Sequence, residues 1–80
     1  MRNFRKEAKA VQDIVREYRR AVRINGPFHS AHEGYAVILE EMDELKAEVW
    51  KNSKKRSLEK MRQESIQVGA MALRFIVDNC

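Results

Sequence analysis

Apolar residues recur along the first third of the chain at Phe4, Ala8, Val11, Val15, Tyr18 and Val22. Steps of three and four residues keep a stripe on one face of an α-helix, and the intervening positions are charged. The spacing predicts a helix over about residues 3–24. Asn25-Gly26-Pro27 closes it, because glycine takes the left-handed terminal conformation and proline cannot continue a helix. Ser30-Ala31-His32-Glu33 has the form of a capping box. The serine oxygen accepts the N–H three residues on, and Glu33 reaches back to the serine N–H. A second helix is predicted from there to about residue 52, with Ile38, Met42, Leu45 and Val49 as its stripe. The polar stretch Asn52 to Ser57 predicts a turn short enough to make the third helix, about residues 57–78, an antiparallel neighbour of the second. That helix carries two adjacent stripes: Leu58, Met61, Ser65, Val68, Ala72 and Phe75, then Ile66, Gly69, Leu73 and Ile76.

The fold class that follows is all-α, a single domain over residues 1–80. Eighty residues give a thin core. Cys80 is the only cysteine, so no disulfide can staple the chain, and neither His29 nor His32 has a cysteine nearby to make a zinc-type cluster. The broad apolar surface of the third helix needs more neighbours than one chain supplies. The expectation is a helical bundle completed by homo-oligomerisation.

Composition narrows the classes. A hydrophobic fraction of 44% with 35% charged residues suits a packed helical protein and excludes a disordered tail. No run of about 18 apolar residues is present to span a membrane. The first residues lack the apolar segment of a secretory signal, so a cytoplasmic protein is expected. The net charge of +4 invites a nucleic-acid partner. Its distribution weighs against one. Arg16, Arg19, Arg20 and Arg23, then Lys51, Lys54, Lys55 and Arg56, flank an acidic block from Glu40 to Glu48, an alternation typical of solvated helix faces.

That acidic block is the informative chemistry. On a helix, Glu41, Glu44 and Glu48 fall within about 60° of one another, beside the core stripe. Like charges at these spacings repel, and a cation relieves them. Across an antiparallel hairpin, Glu41 and Glu44 can face Glu64. Hard cations such as Mg²⁺ and Mn²⁺ take oxygen ligands of this kind. The competing reading is a solvated acidic face paired with lysine and arginine. A di-iron bundle is disfavoured, since neither histidine has a glutamate three residues before it.

Glu40-Glu41-x-x-Glu44, a gap of nineteen residues, and Glu64-x-x-Gln67 resemble the EExxE…ExxD pattern of the MazG-like all-α nucleoside triphosphate pyrophosphohydrolases. The words from Phe28 to Tyr35 and from Gln67 to Phe75 also resemble small phage and bacterial members, so the likeness spans about residues 28–80. The resemblance implies Mg²⁺-dependent cleavage between the α- and β-phosphates of an NTP or dNTP, releasing a nucleoside monophosphate and pyrophosphate. It also implies a homodimer or homotetramer.

Carried over by residue, Glu41, Glu44, Glu64 and Gln67 would hold the metal, and Glu40 and Glu41 would be catalytic, Glu40 by orienting water. Gln67 departs from the family's aspartate and brings no charge, with Asp78 as a substitute ligand. That departure leaves a second reading: a catalytically weakened or inactive relative acting as a nucleotide-binding or interaction module. Lys54, Lys55 and Arg74 are the candidates for holding the triphosphate, with His32 near the phosphates and Trp50 or Tyr35 available to stack on a base. The first helix shows no family motif.

Overall fold

The computed structural model describes residues 3–80, and among them all regular structure is helical: α1 (Phe4–Asn25), α2 (Ala31–Val49) and α3 (Leu58–Asn79). Each helix starts on a side chain that accepts an otherwise unpaired N–H. Asn3 accepts from Lys6, Ser30 from Glu33 and Ser57 from Lys60, each at 3.1 Å. The predicted box at α2 forms with one change. The Glu33 carboxylate accepts the N–H of His29, not that of Ser30, at 3.0 Å. α1 ends at Gly26, whose φ of 69° is open to glycine and strained for other residues.

α2 stops at Val49, short of Asn52, because the turn satisfies its terminal carbonyls. Arg56 donates to the Val49 carbonyl at 2.9 Å. The Asn52 carbonyl accepts from Lys55 and Arg56, and its side chain accepts from Lys54 N–H at 3.0 Å.

α3 is the shared element: it packs against both α1 and α2, and those two do not pack on each other. The buried centre comprises Ala21, Phe28, Ala70 and Met71, with Tyr18, Val37, Ile38 and Phe75 against it. Gly34 lets α2 approach. A Cβ there would sit 2.7 Å from a ring carbon of Phe75. Ile14 of α1 lies over Gly69 of α3, and Asp13 accepts from Arg62 at 2.8 Å.

The faces that meet are rotated from the stripes read in the sequence. α1 meets α3 through Ile14 and Ala21, leaving Phe4 and Val11 exposed. On α3 the buried positions are Ala70, Met71 and Arg74, while Leu58 and Ile76 are exposed. The reason is steric. Small residues at Ala21, Gly34, Gly69 and Ala70 admit close helix approach, and bulky side chains are displaced to the flanks.

Two polar clamps tie α2 and its entry loop to α3. At one end, Arg74 lies over the Phe28 ring at 3.9 Å and donates to the Gly26 carbonyl at 2.6 Å. Asp78 accepts the Phe28 N–H at 2.9 Å. At the other end, buried Glu48 accepts the Ser57 N–H and the Lys51 ammonium, each at 2.7 Å.

Candidate metal centre

The central turns of α2 and the second turn of α3 bring three carboxylates together. One oxygen each from Glu41, Glu44 and Glu64 lies within 4.8 Å of the other two. Glu41 and Glu64 are half-buried and Glu44 is exposed. The Glu41 Oε2 atom is shielded from solvent and has no hydrogen-bond partner. Burying an acceptor without a partner is unfavourable. Three carboxylate oxygens, one of them orphaned, are once deprotonated a donor set that fits a hard divalent cation.

The electrostatics carry the same strain. Burial raises the Glu41 carboxyl from its ordinary 4.5 to about 7, reinforced by Glu44, Glu64 and Glu40. Glu64 is also raised, by burial and then by Glu44, with Lys60 opposing. Both groups therefore hold protons in the metal-free fold that the unfolded chain has released. Where the native state binds more protons, stability falls as pH rises. The metal-free protein is expected to lose thermal stability between about pH 4.5 and about pH 7, and added Mg²⁺ should flatten that decline. Melting curves across pH, with chelator and with Mg²⁺, test this. A melting temperature that climbs across the same window with chelator present contradicts it.

Glu48, grouped with the ridge by periodicity, does not join the cluster. Its carboxylate is pulled below the ordinary range by Lys51 and by the Ser57 N–H. Asp78 is likewise committed to the Phe28 N–H, not poised as a ligand. Gln67 turns toward α1, where its amide helps Arg20 lower the Glu17 carboxyl. Glu40 is exposed beside Glu41.

A cleft of about 430 Å³ opens between α1, the α1–α2 loop and the inner face of α2, and Glu41 forms part of its wall. Gln67, Arg20, Glu17 and Arg74 also line it. Arg20 is held by Glu17 through two contacts of 2.8 Å. Arg74 reaches the cleft while its guanidinium serves the Gly26 carbonyl. Lys54 and Lys55 are exposed in the α2–α3 turn. The cation felt by Glu64 is Lys60.

Glu17 and Lys60 were not singled out by the sequence, and Arg20 figured there only as one of a basic cluster on α1. The signal was present in weak form: Glu17 and Arg20 are three residues apart, Lys60 and Glu64 four, and both are pairing distances on a helix. His29 is exposed beside Glu33, and Tyr35 and Trp50 lie on the outer side of α2. No protein-family profile, characterised protein or solved structure matches this chain.

Proposed function

We propose that this chain is a Mg²⁺-dependent nucleotide pyrophosphohydrolase, with α2 and α3 as an antiparallel hairpin carrying the metal ligands. The observation that carries this reading is the convergence of Glu41, Glu44 and Glu64 around a buried, unpartnered carboxylate oxygen. The adjoining cleft supports it. Its lining sets two guanidinium groups, Arg20 and Arg74, and two side-chain amides, Asn25 and Gln67, beside Glu17, Glu33 and Glu41, and guanidinium groups pair well with phosphate.

Glu41, Glu44 and Glu64 would hold the ion, with Mn²⁺ able to replace Mg²⁺. Bound there, the ion would neutralise phosphate charge and position a water for attack on phosphorus. Glu40, exposed next to Glu41, would orient that water. Arg20 and Arg74 line the cleft beside Glu41, whereas Lys54 and Lys55 stand apart from it, in the α2–α3 turn at the far end of α2.

A second reading is favoured by Gln67. Its amide brings no charge to the cation, and it lies on the Glu17 side of the cleft, where it helps lower that carboxyl. Such a chain binds nucleotide and Mg²⁺ with weak turnover or none. Pyrophosphate release from a panel of NTPs and dNTPs, with and without Mg²⁺, separates the two. The enzyme releases pyrophosphate only with the metal. Nucleotide binding without release at high protein concentration establishes the second reading, and absence of both removes the nucleotide assignment.

A further inference from the structure

Among the described residues, the three most exposed large apolar side chains are Leu58 (78%), Phe4 (76%) and Trp50 (74%). They come from three separate stretches: Phe4 opens α1, Trp50 caps the end of α2, and Leu58 opens α3. Contacts between the helices bring these stretches to one end of the molecule. Asp13 of α1 meets Arg62 near the start of α3, and Gly26 at the close of α1 meets Arg74 near the end of α3. α1 and α3 therefore begin at the same end, where the α2–α3 turn also lies. Apolar side chains scattered singly over a surface are ordinary. The three most exposed of them collected at one end are not.

Positive charge collects at this end too. Residues 3–9 and 50–60 hold eight Lys/Arg and two Asp/Glu, a net +6 against +4 for the whole chain. The rest of the molecule is therefore net negative. Lys9 is paired with Asp13 and Lys51 with Glu48. Among the described residues, Lys6, Lys54, Lys55 and Lys60 form no ion pair. The turn keeps a set shape while it presents them. Asn52 accepts the N–H groups of Lys54, Lys55 and Arg56, and Arg56 donates to the Val49 carbonyl. The backbone is satisfied inward, and the ammonium groups are left to solvent.

We propose that this end docks on the surface of an anionic phospholipid bilayer. Charge complementarity combined with protruding apolar groups selects that occupant. Tryptophan belongs at the level of the lipid headgroups, phenylalanine and leucine just beneath it, and lysine stems lie along apolar surface while their ammonium groups reach the phosphates. A single-stranded nucleic acid would call for a row of aromatic rings or arginine forks. Here lysines predominate, the arginine of the turn is engaged by the Val49 carbonyl, and Leu58 has no ring to stack. The contact is peripheral, since no described helix is long and apolar enough to cross a membrane. The cleft, lined by Asn25, Pro27 and Phe28, belongs to the opposite end of the helices and stays open. The inference depends on neither the metal nor the nucleotide reading.

Co-sedimentation of the full chain with vesicles tests this, using phosphatidylcholine alone and phosphatidylcholine mixed in equal parts with phosphatidylserine. Binding is expected to the mixed vesicles only, and to weaken as salt screens the lysines. Trp50 is the only tryptophan, so its emission should shift to the blue on binding. Lys54→Gln and Lys55→Gln should each weaken binding about fivefold, and Leu58→Ser at least about tenfold, with the helical circular dichroism unchanged. Arg19→Gln removes the same charge about 22 Å along α1 from Phe4, beyond the reach of the bilayer field at physiological salt, and should change binding by less than about twofold. Absence of binding to the mixed vesicles at low salt overturns the proposal, as does equal binding to phosphatidylcholine alone. Bound protein with unmoved Trp50 emission, or Arg19→Gln as costly as Lys54→Gln, overturns the assignment to this end. Preference for a single-stranded oligonucleotide over the mixed vesicles gives the end to nucleic acid and overturns it as well.

Discussion

Replacing Glu41 by glutamine should stabilise the metal-free protein above about pH 8 and at the same time remove its response to Mg²⁺. The two effects have one origin. The Glu41 carboxyl is raised to about 7 by burial and by neighbouring glutamates, so above that value the fold carries a half-buried charge that it disfavours. An amide of the same shape removes the charge and the repulsion, and its N–H₂ can donate to Glu44 or Glu64. A carboxylate that opposes folding when charged, and would hold a cation in that same state, is a stability–function trade-off at a single side chain. Pyrophosphate release should fall by at least about 100-fold, the upper end of what losing a mere supporting group brings. Thermal melts with chelator and with Mg²⁺, beside the release assay, measure all three effects. Glu41→Gln with a lower metal-free melting temperature, or with Mg²⁺ stabilisation intact, would show that the carboxylate is an ordinary surface group.

The second large effect belongs to Arg74→Ala, and it falls on stability before activity. The side chain is 6% exposed, covers the Phe28 ring, and donates to the Gly26 carbonyl at the end of α1. Its Nε lies 3.8 Å from the Asp78 carboxylate. Truncation leaves the Gly26 carbonyl without this donor and Asp78 without its cation, and removes the packing of the guanidinium stem. The loss should be about 3 kcal/mol, lowering the melting temperature by more than about 10 °C in a domain of this size. Asp78→Asn should destabilise less, since an amide oxygen still accepts the Phe28 N–H. The double variant should then cost less than the sum of the two, the mark of side chains acting together. Additive effects, or a melting temperature unchanged by Arg74→Ala, would contradict the clamp.

Arg74 illustrates what the sequence made legible and what it did not. An arginine on the last turns of a helix reads as a phosphate contact or as a solvated charge. Nothing in the spacing announces that it will fold under a phenylalanine forty-six residues earlier in the chain. The backbone partners of Asp78 and Glu48, the N–H groups of Phe28 and Ser57, leave no periodic trace, although their charged partners Arg74 and Lys51 stand at helical spacing. The three helices and the capping serine Ser30 were legible, because caps and breaks are local chemistry. The pairing of Glu41 and Glu44 with Glu64 was legible too, since a short turn between two helices brings their carboxylates to one level. The buried faces of α1 and α3 share Tyr18, Gly69 and Phe75 with the apolar stripes but add Ala21 and Ala70, small residues that a hydrophobicity pattern scores weakly. Gln67 could be recognised as a departure, but its turn toward Glu17 depends on α1, whose placement no motif encodes.

The two clamps have a further consequence, which concerns distance. Metal ligation tolerates oxygen positions to about ±0.2 Å, while neighbouring helices can in principle slide past one another in steps of about 1.5 Å per residue. A slip of one residue would carry Glu64 away from Glu44 and dissolve the cluster. The Phe28–Asp78 contact and the Ser57–Glu48 contact stand at opposite ends of the α2–α3 pair, and both must break before either helix can move along the other. They work as the two jaws of a caliper. The spacing of the carboxylates is thus set by hydrogen bonds made by Phe28, Asp78, Ser57 and Glu48, none of which belongs to the cluster itself.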